Sequence, residues 1–396
     1  MSQDARLVVT RYKQGILSCI LQDNRMIRAD FSTENSSIVG NIYIAKVLNV
    51  VPSLHAAFLE YAPGKKCYLP LGKEVPAVLN RDAKGKLSSG DLLVIQIIKD
   101  AIKTKEPMAT TNISVTGQYC VITSENKRIG FSDKLKKEQK EQLSQYLPKE
   151  HSFGMIVRTN AGELLEQGRI QDFTNEITLL NEKMHSIMET VSYRTCYSVL
   201  YQAPASYLID IRDTYHYLYQ RIVTDDQILY DEIKQYILEN MPDDIDKLQF
   251  YEDTSYSMKK LYSLEHKITE ALSQKVWLKS GAYLIIQPTE ALVAIDVNSG
   301  KNDSRKLKDE FIHEVNKEAA REVVHQMKLR NLSGMILVDF INTTKANEED
   351  LMKYLTSLCK QDQVPTRVVD MTALGLVEIT RKKIKKSLWE QYQMII

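Results

Sequence analysis

The sequence predicts a multidomain α+β protein in which a small β-barrel and other β-rich segments precede a final α/β layer. Three observations carry this. At 396 residues the chain exceeds one ordinary hydrophobic core, so two to four domains are expected. The first 111 residues break into short runs rich in Val, Ile, Tyr and Phe, separated by Gly, Pro, Asn, Asp and Ser. The last third instead alternates apolar strand-like runs with long amphipathic ones.

Residues 5–31 alternate apolar and polar positions, with turns near Gly15 and at Asp23-Asn24, and read as a β-meander. After a polar break from Ser32 to Ser37, the runs NIYIAKVLNVV, AAFLEY, KCYLPL and DLLVIQII in residues 40–111 suit a barrel. The strand-like runs YCVITS and GMIVRT follow in 112–160, then a polar helical stretch from about Glu163 to Glu189. Residues 206–275 read as mostly helical, as in YLIDIRDTYHYLYQRIV, and their tyrosines as packing residues. LIIQPTEALVAIDVNSG, MILVDFINTT and TRVVDMT are apolar runs ending in polar residues. A helical run from Leu307 to Arg330 lies between the first two, with Ile312, Val315, Ala319, Val323 and Met327 on one face. Another, Glu348 to Gln361, lies between the second and third. This alternation predicts neighbouring parallel strands in one layer.

Composition excludes several classes. With 43% hydrophobic and 26% charged residues, the chain has the make-up of a soluble globular protein. No apolar run approaches the roughly 20 residues that span a bilayer. The start, MSQDARLVV, lacks the apolar region of a secretory signal. Five scattered cysteines without a C-x-x-C pair read as reduced, mostly buried thiols of a cytoplasmic protein with no zinc knuckle. A formal charge of +1 excludes a uniformly basic protein, so nucleic-acid binding would need a local basic surface. One such segment runs from Arg381 through Lys386; a solvated helix face is the competing reading.

The informative feature is a pair of acids. Asp296 ends the apolar run Leu292-Val293-Ala294-Ile295, and Asp339 ends Met335-Ile336-Leu337-Val338. An acid interrupting a buried strand is costly unless it is paired, hydrogen-bonded or bound to a cation. Side by side on parallel strands, both carboxylates would reach the carboxyl-terminal edge, where open α/β sheets bind ligands. Carboxylates are hard oxygen ligands suited to Mg²⁺, which keeps several waters and takes remaining ligands from phosphate. Asn298, two residues on, could hydrogen-bond a phosphate oxygen or an ion-bound water. From the residues alone a second reading stays open, because strand-end aspartates also cap helices and close turns.

The stretches TEALVAIDVNSG, NKEAA, LRNLSGMILVDFI and LGLVEITRKK together resemble the catalytic region of the ribonuclease E/G family. Upstream, GNIYIAKVLNVVPSLHAAFLEYAPGKKCYLPL is similar to that family's S1 RNA-binding domain, and GMIVRT to its 5′-end sensor. The resemblance runs from about residue 5 to 390. It implies an S1/OB barrel (37–111) and a 5′ sensor region (112–205) inserted in a ribonuclease H-like structural subdomain (1–35 with 206–275). An α/β, DNase I-like catalytic domain (276–396) would follow. It also implies that Asp296 and Asp339 ligate the metal, assisted by Asn298; that Phe58, Tyr68 and Lys105 contact RNA; and that Arg158, Thr159 and the backbone near Val121 receive a 5′-monophosphate.

The implied activity is Mg²⁺-dependent hydrolysis of single-stranded, AU-rich RNA to 5′-phosphate and 3′-hydroxyl ends, in rRNA processing and mRNA decay. The alternative is a non-catalytic S1-domain RNA-binding protein of the same fold. Three departures from the family pattern stand out. The C-P-x-C zinc link is missing, so no zinc is expected and any homodimer would not be zinc-linked. Asp133 stands where the family has a second sensor arginine, which would weaken 5′-end sensing. No long scaffold follows, as in the shorter, ribonuclease G-like members.

Overall fold

The structure, a computed structural model, describes residues 5–33, 37–72, 75–82, 85–101, 105–125, 127–213, 219–300 and 309–396. The chain divides into two compact units. One holds Met1–Glu34, Tyr215–Gln235 and Asp243–Ile396; the other holds Asn35–Thr214 and Tyr236–Pro242.

Strands β1 (Ala5–Tyr12), β2 (Gly15–Gln22) and β3 (Arg25–Ser32) form the expected meander. The β2–β3 turn is Asp23-Asn24, with φ of 48° and 63°. That is the left-handed geometry a two-residue hairpin requires and that Asp and Asn tolerate.

In the second unit, β4 (Ile42–Val51), β5 (Ala56–Ala62), β6 (Lys65–Pro70), β7 (Leu92–Lys99) and β8 (Met108–Thr110) close a barrel. The order is β4-β5-β6-β8-β7, with β7 returning to pair with β4. Ala57, Leu59, Cys67, Leu69, Leu93 and Ile95 fill its interior. Next come β9 (Ser114–Thr116), β10 (Cys120–Thr123), β11 (Ile129–Phe131), α1 (Lys137–Ser144) and β12 (Gly154–Val157). They are followed by α2 (Ala161–Gln167), α3 (Ile170–Thr190), β13 (Val199–Tyr201) and α4 (Ser206–Asp213). Strands β9 to β12 form a sheet of order β11-β12-β10-β9, into whose core α3 contributes Phe173, Ile177, Leu180 and Met184.

The chain continues through β14 (Arg221–Thr224), α5 (Gln227–Asn240), β15 (Leu248–Phe250), α6 (Met258–Leu261) and α7 (Leu264–Leu272). β14 and β15 add to the first sheet in the order β15-β14-β1-β2-β3, with β14 parallel to both neighbours. The mostly helical reading of 206–275 is corrected at these two strands. Each has three or four residues, too few for alternation to show, and the interior strand β14 is an unbroken buried run from Ile222 to Thr224. Tyr207, Tyr219 and Tyr236 are buried, as packing residues.

The final layer comprises β16 (Lys275–Trp277), β17 (Tyr283–Pro288), β18 (Leu292–Asn298), α8 (Asp309–Leu329), β19 (Gly334–Asp339), α9 (Lys345–Lys360), β20 (Thr366–Met371), β21 (Leu376–Arg381) and α10 (Leu388–Tyr392). Its sheet has the order β16-β17-β18-β19-β21-β20. β18 and β19 are parallel neighbours, as expected. β20 does not lie beside β19, because β21 inserts antiparallel between them. LIIQPTEALVAIDVNSG is a hairpin rather than one run; the Thr289 hydroxyl donates to Leu292 O at 2.7 Å and closes its turn.

The basic run at 381–386 is also corrected. Arg381 ends β21 on the same side as Val377 and Ile379, facing the core. Its guanidinium donates to Asp362 Oδ2 at 2.8 Å, Asn331 Oδ1 at 2.9 Å and Leu332 O at 2.9 Å. Residues 382–386 are not helical, Lys383 pairs with Glu390, and Lys385 pairs with Asp30. The run is therefore not a helix face, and Arg381 is withdrawn from it, while residues 382–386 stay exposed with two of their lysines paired. No helix among the described residues is long and apolar enough to cross a membrane.

Candidate active site

The geometry of the final sheet follows from strand alternation. Val293, Ile295 and Val297 of β18 and Ile336 and Val338 of β19 share one core with Val315, Ala319, Val323 and Met327 of α8 and Leu351 and Leu355 of α9. The intervening residues, Ala294, Asp296 and Asn298 on β18 and Met335, Leu337 and Asp339 on β19, therefore point to the opposite face. In the parallel register Asp296 is the direct partner of Asp339. The two carboxylates thus stand on adjacent strands, about 5 Å apart at the backbone, on the same face and at the same carboxyl-terminal edge. The Asn298 amide donates to Asp296 Oδ2 at 2.6 Å and fixes its orientation.

One expectation changes. Both acids interrupt apolar strand runs, yet both are exposed. Helices α8 and α9 pack on the other face, so no burial penalty has to be offset here. Among the described residues no group of three or more His, Cys, Asp or Glu side chains is gathered as a metal cage. Two convergent, solvated carboxylates still fit a Mg²⁺ ion, which commonly takes one or two protein carboxylates and completes its shell with water and phosphate.

Residues outside the pair hold it in place. Asn316 of α8 is fully buried; its amide donates to Ile341 O at 2.7 Å and accepts from Ile341 N at 3.1 Å, pinning the chain just after Asp339. A polar residue on the apolar face of α8 was the available signal for it. After β18, Gly300 has φ +74°, and a Cβ there would stand 2.4 Å from Gly281 O. That close approach is why the segment after Asn298 ends in glycine.

In the other unit, Phe58 and Tyr68 are direct partners across β5 and β6, with ring centroids 5.8 Å apart at 68°. Both are half-buried on the outside of the barrel, alternating with the interior residues Leu59, Cys67 and Leu69. Tyr68 N donates to Pro107 O at 2.8 Å, which brings the segment bearing exposed Lys105 alongside.

Residues 114–384 match the model of the ribonuclease E/G family. Ribonuclease G of Haemophilus influenzae is 31% identical over 368 residues, spanning 89% of this chain and 74% of the relative. Ribonuclease G of Escherichia coli strain K12 gives the same identity and coverage. Ribonuclease E of Synechocystis is 30% identical over 369 residues, spanning 90% of this chain and 54% of the relative. The chain belongs to the ribonuclease E/G family.

Within this family member, Arg158 and Thr159 directly follow β12. Arg158 Nη1 donates to Gly117 O at 2.5 Å and to Asp213 Oδ1 at 2.6 Å, and Thr159 Oγ1 lies 2.8 Å from Ser132 Oγ. Val121 sits in an interior strand of its sheet, opposite Thr116 and Ile156. Asp133 is exposed beside Ser132. The turn facing Arg158 is shaped by Glu176, whose carboxylate accepts from the backbone N–H groups of Gln118, Tyr119 and Cys120 at 2.6, 2.7 and 2.9 Å. Burial raises the Glu176 carboxyl despite these bonds. Burial alone would also raise Asp213, but the Arg212 and Arg158 guanidiniums bring it below its ordinary value. Asp213 was not anticipated from sequence. An anion arriving at Arg158 meets a guanidinium already paired with that carboxylate.

Proposed function

We propose that this protein is a Mg²⁺-dependent endoribonuclease that hydrolyses single-stranded RNA and leaves 5′-phosphate and 3′-hydroxyl ends. The observation that carries the reading is the in-register pair Asp296–Asp339 on the open face of the final sheet, in a chain of the ribonuclease E/G family. A hard divalent ion there would supply positive charge to a phosphate oxygen and acidify water for attack at phosphorus. Asp296 and Asp339 would hold the ion, and Asn298 would keep Asp296 oriented. Both acids are exposed, and an RNA strand would lie across them.

The rest of the chain takes roles consistent with this. Phe58 and Tyr68 would stack bases and Lys105 would meet a phosphate. Arg158 and Thr159 would receive a 5′-monophosphate, in competition with Asp213. Residues 1–35 with 206–275 would be the ribonuclease H-like subdomain, 37–111 the S1 barrel, 112–205 the sensor region and 276–396 the DNase I-like catalytic domain. Cytoplasmic AU-rich segments of rRNA precursors and mRNA are the substrates this assignment favours.

The test maps the 5′ ends released from a defined AU-rich RNA. Phosphate-bearing ends that appear with Mg²⁺ and vanish with EDTA, while RNA binding persists, are expected. Binding without cleavage under either condition would replace the nuclease with a non-catalytic RNA-binding protein.

A further inference from the structure

The final sheet carries a second feature on the face of the acids. Strand β16 forms its edge, and there Trp277 pairs with Tyr283, which in turn pairs with Asn298. In the neighbouring row Lys275 pairs with Ile285, Ile285 with Asp296, and Asp296 with Asp339. Directly paired residues project to the same side of a sheet, so Lys275, Trp277 and Tyr283 share the face of the two acids. Val276 and Leu284, which alternate with them, pack into the core on the other side.

These three side chains form a small aromatic corner. The rings of Trp277 and Tyr283 lie 5.2 Å apart at 63°, edge to face. The Lys275 ammonium sits in the angle between them, 3.9 Å from the Trp277 centroid and 3.8 Å from that of Tyr283. Lys275 makes no salt bridge among the described residues, so its charge remains available to an anion. Trp277 is 63% exposed, an unusual position for the largest apolar side chain on a strand. Packing does not account for it: one flank of the indole is held by the ammonium and the other is left to solvent. Two strand spacings, roughly 10 Å, separate the Trp277 and Asn298 backbones.

We propose that Trp277 and Tyr283 form a stacking platform for a base of single-stranded RNA close to the cleaved phosphate, with Lys275 taking a neighbouring phosphate. This rests on the nuclease reading of the same sheet. An aromatic face with an unpaired ammonium matches a nucleotide, which offers a π-face and an anion a few ångströms apart. An apolar peptide would leave the charge desolvated and unpaired. Stacking on an aromatic face tolerates any base, so the platform would hold the strand in place without selecting sequence.

The chain has two tryptophans, so Trp389→Phe leaves Trp277 as the sole indole reporter. The experiment titrates that protein with a short unstructured RNA in EDTA and follows indole fluorescence, and end-labelled RNA gives the Kd of wild type, Trp277→Ala and Trp277→Phe. Quenching by RNA is expected. A Kd roughly 5- to 150-fold weaker is expected for Trp277→Ala, the range one stacked base is worth, with most affinity kept by Trp277→Phe. With Mg²⁺, the Trp277→Ala loss should fall on KM more than on kcat. Unchanged indole fluorescence in the Trp389→Phe protein, or unchanged Kd and KM in Trp277→Ala, while wild type cleaves RNA normally, overturns the platform and leaves the nuclease standing. A wild-type protein that neither binds nor cuts RNA overturns both.

Discussion

Asp296→Asn should make the ion-free protein slightly more stable while abolishing its activity. Asp296 and Asp339 are direct partners on neighbouring parallel strands, and both are exposed. Two unit charges about 5 Å apart repel by about 0.8 kcal/mol in water-like surroundings and by about 3 kcal/mol at an effective dielectric near 20. For an exposed pair in physiological salt the lower figure applies, since screening weakens it further. Neutralising one member removes that repulsion without removing packing. In EDTA, urea unfolding of Asp296→Asn should therefore give a stability equal to wild type or up to about 1 kcal/mol higher.

The ion adds the second half of the test. Mg²⁺ at about ten times its Kd stabilises wild type by about 1.4 kcal/mol, because it binds only the folded state. The variant, with one carboxylate left, should gain a small fraction of this. Cleavage should fall by about 100-fold or more, since several kcal/mol of transition-state charge stabilisation pass through the ion. The assay pairs urea titrations, with EDTA or Mg²⁺, with single-turnover cleavage of one RNA. Wild-type cleavage by Asp296→Asn, or equal Mg²⁺ stabilisation of both proteins, would refute the reasoning.

Other outcomes follow from the same geometry. Arg381→Met strands the fully buried Asp362 without its counter-charge and should cost about 3–5 kcal/mol in urea unfolding; a loss under about 1 kcal/mol would show the pair to be dispensable. Burial pushes the His325 imidazole down to about 4 from its ordinary value near 6.5, so the fold binds this ring in its neutral form. Its contribution to stability is complete above pH 6.5 and is lost as pH falls toward 4, amounting to about 2 kcal/mol by pH 5. His325→Gln should flatten that part of the pH–stability curve, and an unchanged slope would count against it. Arg158→Ala should erase any preference for 5′-monophosphate over 5′-hydroxyl RNA while leaving cleavage of circular RNA intact; an undiminished preference would remove Arg158 from the sensor.

Much of this molecule is legible in its residues. Alternation and turn chemistry define the opening meander and the barrel strands, because each is a local pattern with a local stop signal, such as Asp23-Asn24. The apolar stripe of α8 and the acid-terminated runs of β18 and β19 predict a parallel pair, and the register then makes Asp296 and Asp339 partners. Other features are decided only in three dimensions. Insertion of β21 between β19 and β20 is a long-range pairing that no local pattern encodes. The short strands β14 and β15 exist because the first sheet supplies their hydrogen-bond partners. Arg381 leaves an apparently basic surface run because its place on β21 turns it into the core, where Asp362 compensates its charge. Exposure of the two acids was equally invisible in sequence, since alternation shows which residues share a face but not whether a second layer covers it.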